Sequence, residues 1–342
     1  MNAAEVKARA RALGFDLCGV ARAEALPPAP LEHWFSNGFD AGMRYLRERR
    51  AERLDPRLLL PGARSVIVLA ASYAPAPGDP EPQPGELAIA RYARGRDYHN
   101  ALLKPARKLA AWLRGAGAQV YCEVDAGAIM EKAWAQRAGL GWIGKNGCLI
   151  HPQLGSWLLL GALVTDLELA IDEPCADHCG ECRACLPACP TDALHEPRFV
   201  DARRCIAYHT IEHREAIPEE ITLGSRLFGC DACQDVCPWN RKAPPATLVQ
   251  LRARPGQVSL RVEEALSLTE DETWRRFQGT PLMRAGRGGL VRSALAAAPT
   301  ELQAQRLAHD AAPGVREQAA RYLASGNVST APLSAPASGE SK

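Results

Sequence analysis

Nine of the twelve cysteines of this chain fall between Cys175 and Cys237, and their spacing limits what the polypeptide can become more than any other feature. Cys179-x2-Cys182-x2-Cys185-x3-Cys189-Pro190 is the run of bacterial ferredoxins, in which three thiolates hold one cubane and the fourth reaches the other. Two-residue gaps wrap a tight loop around three corners of a cube, and the fourth cysteine opens a short helix that points away. A second half follows as Cys230-x2-Cys233-x3-Cys237-Pro238, one cysteine short, and Cys205 between the halves can supply the missing ligand. Eight ligands make two [4Fe–4S] clusters. The spacing assigns Cys179, Cys182, Cys185 and Cys237 to the first, and Cys189, Cys205, Cys230 and Cys233 to the second. Zinc is the rival, because two-residue gaps also suit zinc ribbons. It leaves unexplained the third evenly spaced cysteine, the prolines after Cys189 and Cys237, and the reciprocal halves. Cys175 is a ninth, spare thiol, while Cys18, Cys122 and Cys148 read as core residues.

A chain of 342 residues is long enough for two or three modules. Its N-terminus lacks the apolar core of a signal peptide, and no run approaches the ~18 apolar residues of a membrane span. The expected location is cytoplasmic, where thiols stay reduced and dense cysteines mean metal rather than disulfides. A net charge of +2 implies no partner by itself. Two stretches are locally basic: Arg44, Arg47, Arg49, Arg50, Arg53 and Arg57 in one, and Arg91, Arg94, Arg96, Lys104, Arg107 and Lys108 in the other. They make either a phosphate-binding surface or ordinary solvated helix faces.

The first 170 residues read as an α/β domain. Glu5 to Leu13 is an amphipathic helix and Phe15 to Val20 a strand. Ser65 to Ala71 is a buried strand, and Ala101 to Leu113 a helix with Pro105 in its first turn. Val120, Cys122 and Val124 alternate as a strand should, Ile129 to Ala138 returns to helix, and Ser156 to Thr165 is another strand. Such alternation implies a sheet covered by helices. Residues 171–243 form the cysteine module. Residues 244–326 are helical: Thr269 caps a segment holding Trp274 and Phe277, Thr300 and Gln303 form a capping box, and Pro313 opens a helix faced by Val315, Ala319 and Leu323. Short helices at this spacing resemble HEAT repeats. The tail, 327–342, has the composition of a disordered segment.

Two clusters alone make a wire, and a wire needs an acceptor. No GxGxxG opens a helix after a strand and there is no Walker loop, so neither a Rossmann nor a P-loop site is supported. What stands out is Val124-Asp125-Ala-Gly-Ala-Ile-Met-Glu131-Lys132, then Gly141-Trp142-Ile-Gly-Lys145-Asn146. A carboxylate ending a strand beside a glycine-rich, lysine-bearing turn is a plausible acid site; capping the following helix is the alternative for Asp125.

These stretches, taken with Leu60-Pro-Gly-Ala-Arg-Ser-Val, Arg91-Tyr-Ala-Arg-Gly-Arg-Asp97-Tyr98-His99, Gly155-Ser-Trp-Leu-Leu-Leu-Gly161, both cysteine runs, Cys205-Ile-Ala-Tyr208-His-Thr-Ile-Glu-His213 and Gly279-Thr-Pro-Leu, resemble the epoxyqueuosine reductases of bacterial tRNA modification. The resemblance runs in unbroken order from about residue 1 to about residue 325. It implies an α+β or α/β corrinoid-binding domain of nitroreductase-related fold, a 2[4Fe–4S] ferredoxin-like module, and cobalamin held between them. It implies reductive removal of the epoxide oxygen of epoxyqueuosine at the tRNA wobble position, the last step of queuosine biosynthesis. The family's proton-donor aspartate maps onto Asp125, and its corrin contacts fall near Leu149, Leu160 and Tyr208. Where the family commonly reads Val-Asp-Thr-Gly-Pro, this chain has Val124-Asp125-Ala-Gly-Ala, which keeps the carboxylate but loses a hydroxyl and a rigid proline.

On that reading Asp125 is held protonated by a dry, apolar corrin surface. The tRNA is gripped by the Arg44 to Arg57 stretch and by Arg284, Arg287, Arg292, Arg306, Arg316 and Arg321. No histidine sits in a cobalamin-ligating motif, so the cobalt is expected without a protein imidazole. The other expected partner is an electron donor of unidentified kind, and the chain is expected to be a monomer. Two rival readings are a reductive dehalogenase, disfavoured by the absence of a twin-arginine signal, and an electron-transfer subunit, which leaves Asp125 and the Gly141 to Asn146 segment without a role.

Overall fold

Ser65–Ser72 (β2) is buried at every position, which requires cover on both faces, and the rest of the first core is built around it. The structure, a computed structural model, describes residues 1–297 and 299–325. Leu17–Arg22 (β1), β2, Leu158–Thr165 (β7) and Val120–Glu123 (β4) form a four-stranded sheet in the order β1-β2-β7-β4. Every pairing is antiparallel, with Leu17 opposite Ala70, Ser65 opposite Thr165 and Glu123 opposite Ala162. The helix-covered sheet expected from the alternation is therefore present, in its α+β form.

Strand periodicity sorts the side chains onto the two faces. Val20, Ile67, Leu69, Ala71 and Leu163 pack under the helices Ala3–Ala12 and Tyr98–Gly115. Val66, Val68, Ala70, Ala162 and Val164 pack under Trp134, Ala135 and Ala138, from the helix Glu131–Arg137 and its C-cap. Leu102, Leu109 and Leu113 are fully buried and contribute about 1.5–3 kcal/mol apiece. Pro105 does not sit in the first turn of its helix. The Asp97 side chain caps the backbone at His99, so the helix starts at Tyr98 and carries Pro105 in its interior.

A second core ignores the compositional divisions at 170 and 243. Glu86–Ile89 (β3) pairs in parallel with Arg226–Phe228 (β8) and antiparallel with Ser259–Arg261 (β9). Leu87, Ile89, Phe228 and Leu260 then share one core with Phe277, Leu290, Val291, Val315 and Ala319. The sheet thus staples the cysteine module between the N-terminal domain and the C-terminal helices. The capping boxes at Thr269–Glu272 and Thr300–Gln303 are formed, and the last described helix runs Pro313–Ser325. Among the described residues no helix is long and apolar enough to cross a membrane. The tail 327–342 lies outside the described residues.

Candidate functional site

Eight of the nine cysteines of the module gather into two groups. Cys179, Cys182, Cys185 and Cys237 line one small apolar cavity with Ile150, Ala184, Pro238 and Trp239. Cys189, Cys205, Cys230 and Cys233 form the second group, close enough for the charge of one thiolate to be felt by the others. Several sulfurs face backbone N–H groups. Those of Ala207 and Tyr208 point at Cys205, that of Trp239 at Cys237, and that of Ala193 at Cys189 at 3.2 Å. Such donors favour thiolates. Burial meanwhile pushes the free thiols of Cys185 and Cys230 up to about 11, so a bound metal must supply the ionisation. The remaining cysteines divide by depth. Cys18 and Cys122 pack against the first core and burial raises them to about 12 and about 11. Cys175 packs beside Cys179.

The Gly141 to Asn146 segment serves the cysteine loops rather than the acid. Lys145 Nζ donates to the carbonyls of Gly180 and Cys182 at 2.7 and 2.8 Å, tying down the first loop. The Asn146 side chain bonds the Cys148 N–H at 3.1 Å and reaches toward the Cys233 carbonyl. The lysine-bearing turn and Asp125 are thus not one site.

Asp125 lies two residues past the end of β4, in the left-handed region at φ 58°, where few residues other than glycine rest. The turn is closed by the Ala126 N–H on the Val124 carbonyl at 2.6 Å, a tight three-residue turn of the strained hand. Three side chains hold it. Glu131 accepts the Asp125 N–H at 2.8 Å, Glu123 accepts that of Ile129 at 2.8 Å, and Arg53 donates to the Gly127 carbonyl at 3.2 Å. A Cβ at Gly127 would collide with the Glu123 carboxylate, so a side chain there would displace Glu123 from its bond to the Ile129 N–H. Burial, then the charge of Asp125, pushes Glu131 up to about 7.

The Asp125 carboxylate does not cap the following helix, whose N-cap is Met130. It accepts the Tyr98 hydroxyl at 2.5 Å and faces His99 Nε2 at 3.2 Å, while His99 Nδ1 bonds Asp97 at 2.8 Å. Hydrogen bonds to Asp125 and Asp97 raise His99 to about 9. Burial alone would raise the Asp125 carboxyl, but the hydrogen bonds from His99 and Tyr98 and the charges of His99 and Arg284 outweigh it and hold the acid below its ordinary value. In the protein alone the two hydrogen bonds therefore favour the ionised carboxylate; the expected neutral acid belongs to a covered, corrin-bound site.

Of the three residues expected at a corrin, Leu149 is in the core, while Leu160 and Tyr208 are only partly covered. Leu158, Leu159 and Leu160 are all partly open although their β2 partners are fully buried. Leu158 and Leu160 fall on one face of the sheet, with Leu149, and Leu159 on the other, at the end of β7 beyond its pairing with β4. The Tyr208 hydroxyl accepts the Gly42 N–H at 3.0 Å. Tyr45, 45% exposed, and the Arg284–Glu212 pair lie near Asp125.

Most arginines expected at tRNA are occupied within the fold. Arg47 pairs with Asp40, Arg50 with Glu32 and Arg57 with Asp55. Arg91 and Arg94 serve Glu81, Arg287 serves Asp310, and Arg321 reaches the Ile217 carbonyl. Arg292 is 1% exposed and donates to the carbonyls of His209, His213 and Glu215. Sequence reasoning missed Asp97, Tyr98 and His99 as site residues. The available signal was an N-cap aspartate followed by two polar aromatic side chains in the first helical turn.

Two ferredoxin-type cysteine groups packed against a domain that presents an ionised carboxylate–imidazolium pair define an iron–sulfur redox protein with its own acid site. A family model for a 4Fe-4S double cluster binding domain matches residues 178–240, and one described as "Epoxyqueuosine reductase QueG, DUF1730" matches residues 53–126. An epoxyqueuosine reductase of Gloeobacter violaceus is 43% identical over 308 residues, 86% of this chain and 95% of that relative. The chain belongs to the epoxyqueuosine reductase family. Among solved structures, an epoxyqueuosine reductase with an epoxyqueuosine-modified tRNA(Tyr) stem loop superimposes with TM-score 0.85 at 28% identity, covering 94% of this chain and 88% of that one. The Bacillus subtilis enzyme, solved with an aspartate-bearing catalytic loop swung out of the active site, gives 0.83 at 27% identity, covering 93% and 88%.

Proposed function

We propose that this chain reduces epoxyqueuosine to queuosine at the wobble position of tRNA. Two electrons and two protons are consumed, both epoxide C–O bonds break, and the oxygen leaves as water. The observation that carries this reading is the Asp125 constellation. A carboxylate fixed by Tyr98 and His99 lies near the Arg284–Glu212 pair, and Glu212 is the C-cap of the helix whose N-cap is the cluster ligand Cys205. The two clusters, on the ligand sets Cys179, Cys182, Cys185, Cys237 and Cys189, Cys205, Cys230, Cys233, supply single electrons when bound.

The proton side belongs to the chain. Asp97 fixes Nδ1 of His99 and leaves its Nε2 proton aimed at Asp125. Tyr98 holds the carboxylate from the other side, so the proton on His99 Nε2 passes to the Asp125 carboxylate and from it to the departing oxygen. The strained turn and its Glu131 and Glu123 holders keep the carboxylate aimed. The swung-out loop of the Bacillus subtilis relative supports a turn that opens and closes in the family.

The partly open Leu158 and Leu160 suit a flat, largely apolar macrocycle, and cobalamin is the group we propose there, with Leu149 of the same apolar cluster and Tyr208 as further contacts. Bound there, it would supply a low-valent cobalt nucleophile. Both nitrogens of His99 are engaged, so no imidazole of this site is free to ligate cobalt, and a cobalt(II) spectrum with nitrogen splitting from protein histidine would overturn that point. In this reading residues 1–170 are the nitroreductase-like corrinoid domain, 171–243 the cluster module and 244–326 a HEAT-like tRNA-binding region. The target nucleoside is splayed into the site rather than read within a helix. The protein works in the cytoplasm, as a monomer supplied by a separate electron donor.

The test is nucleoside mass analysis after anaerobic incubation of the cluster-loaded protein with epoxyqueuosine-containing tRNA and a strong reductant, with and without cobalamin. Queuosine formed only with cobalamin is the expected result. Persistence of epoxyqueuosine with clusters and cobalamin loaded and reducible would overturn the reading.

A further inference from the structure

Trp142 is fully buried, yet its indole N–H must find an acceptor, because an indole nitrogen donates and cannot accept. Its partner is Cys179 Sγ at 3.4 Å, the one hydrogen-bond acceptor for that N–H among the described residues. The ring has little freedom to turn elsewhere. It sits in the two-residue strand Trp142–Ile143, edge-on to His178 and to Trp239, with ring centroids 5.0 Å away in each case. A neutral thiol is a weak acceptor, whereas the thiolate of a bound cluster is a strong one. The indole is thus placed for the metal-loaded protein.

We propose that Trp142 is a redox-tuning residue, donating its indole N–H to the Cys179 thiolate and raising the reduction potential of the outer cluster, held by Cys179, Cys182, Cys185 and Cys237, while leaving unchanged that of the inner cluster, held by Cys189, Cys205, Cys230 and Cys233. The inference rests on the cluster ligand sets given above and goes beyond them. An electron added to a cubane spreads partly onto its ligand sulfurs. A donor aimed at one of those sulfurs therefore binds more strongly after reduction than before and favours the reduced state. In the second group the hydrogen bond seen at Cys189 comes from the Ala193 backbone, and removing the indole leaves it in place. The tuning is therefore confined to one of the two clusters, the one whose ligands include the exposed Cys182.

The experiment is a potentiometric titration of the anaerobic, two-cluster protein followed by electron paramagnetic resonance, for wild type and Trp142→Phe. Iron and sulfide content establish that both clusters are present in each protein, which tests the ligand reading separately. The expected result is a fall in one midpoint corresponding to about a tenfold change in its reduction equilibrium, about 59 mV for a one-electron couple, with the other midpoint unmoved. Equal midpoints in the two proteins at full cluster content would overturn the proposal. If Trp142→Phe fails to load, the wild-type protein labelled with nitrogen-15 in its indole rings decides. A hyperfine coupling from an indole nitrogen in the reduced outer cluster supports the proposal, and its absence overturns it.

Discussion

The two cysteine groups come from nearly reciprocal halves of one sequence, yet their surroundings differ. The outer group includes the exposed Cys182 and is walled by Trp142, Trp239 and Ile150. The inner group has no exposed cysteine and leads toward the acid site by two routes. Cys205 is the N-cap of the helix Ile206–Ile211, which carries Tyr208 and whose C-cap, Glu212, binds Arg284, a cation near enough to act on Asp125. Cys230 adjoins Asp231, which burial raises to about 6 and which accepts the Arg91 N–H. The next residue, Tyr92, packs against Tyr98 at 5.9 Å between ring centroids. Equal ligand spacing therefore gives unequal electrical positions, with one group facing the outside and the other facing the chemistry.

The most severe test of that difference removes one ligand from each group. Cys205→Ala should abolish turnover with any reductant, because it removes a ligand of the inner cluster and the N-cap of the helix that carries Tyr208. Cys182→Ala should lose much less activity when a small chemical reductant can reach the inner cluster directly. Queuosine yield against iron content reads both. Equal loss from the two variants, each retaining its other cluster, would break the distinction between outer and inner. Next in size is Asp125→Asn, which keeps the shape but cannot pass a proton on. We expect turnover to fall about 10²- to 10⁴-fold with both cluster signals intact. Near-normal turnover would remove Asp125 from the reaction.

The outer group was the more legible of the two from sequence, and the reason is locality. Three of its ligands lie within one seven-residue loop, Cys179 to Cys185, so spacing alone brings them together. The inner group's ligands span Cys189 to Cys233, and placing them required a reciprocal pattern known from ferredoxins. The main sheet was legible because period-two burial leaves a trace in each strand. The second core was not. β3 is four residues long and finds its partners about 140 and 170 residues downstream, which no local pattern reports. Asp125 was legible, but its partners were not, because they come from another element, the start of the helix Tyr98–Gly115. Charge counting failed most for arginine. Composition cannot distinguish Arg292, enclosed among carbonyls, from a cation free to meet a phosphate.

The inner site also sets a pH dependence that the outer one lacks. His99 faces Asp97 and Asp125 directly and stacks on Tyr98, with Glu131 and Arg284 acting on Asp125 from beyond. Its proton is held from the ordinary imidazole value, 6.5, up to about 9. The ion pairs that hold Asp125 are therefore complete below 6.5 and are lost as pH rises through about 9. Single-turnover rates should stay level near neutrality and fall about tenfold per unit above about 9. His99→Gln should lower the plateau and abolish that alkaline limb. A limb that survives in the variant would place the proton elsewhere.

The smallest effect expected is at the rim of the inner site. Among the exposed arginines of the first basic stretch, Arg47, Arg50 and Arg57 are each held by a carboxylate. Arg44 is exposed with no acid partner among the described residues, two positions from the Gly42 contact with Tyr208. A free cation at the rim releases counterions when it meets a phosphate, whereas one neutralised by its own carboxylate gains little. Arg44→Ala should thus weaken binding of a modified anticodon stem loop only a few-fold and lower the salt slope by about one. Arg47→Ala should leave the slope unchanged, because Asp40 already holds that charge. An equal change of slope in both variants would mean that the ion pairs open on tRNA binding. The static pairing could then no longer be used to choose which arginines grip the backbone.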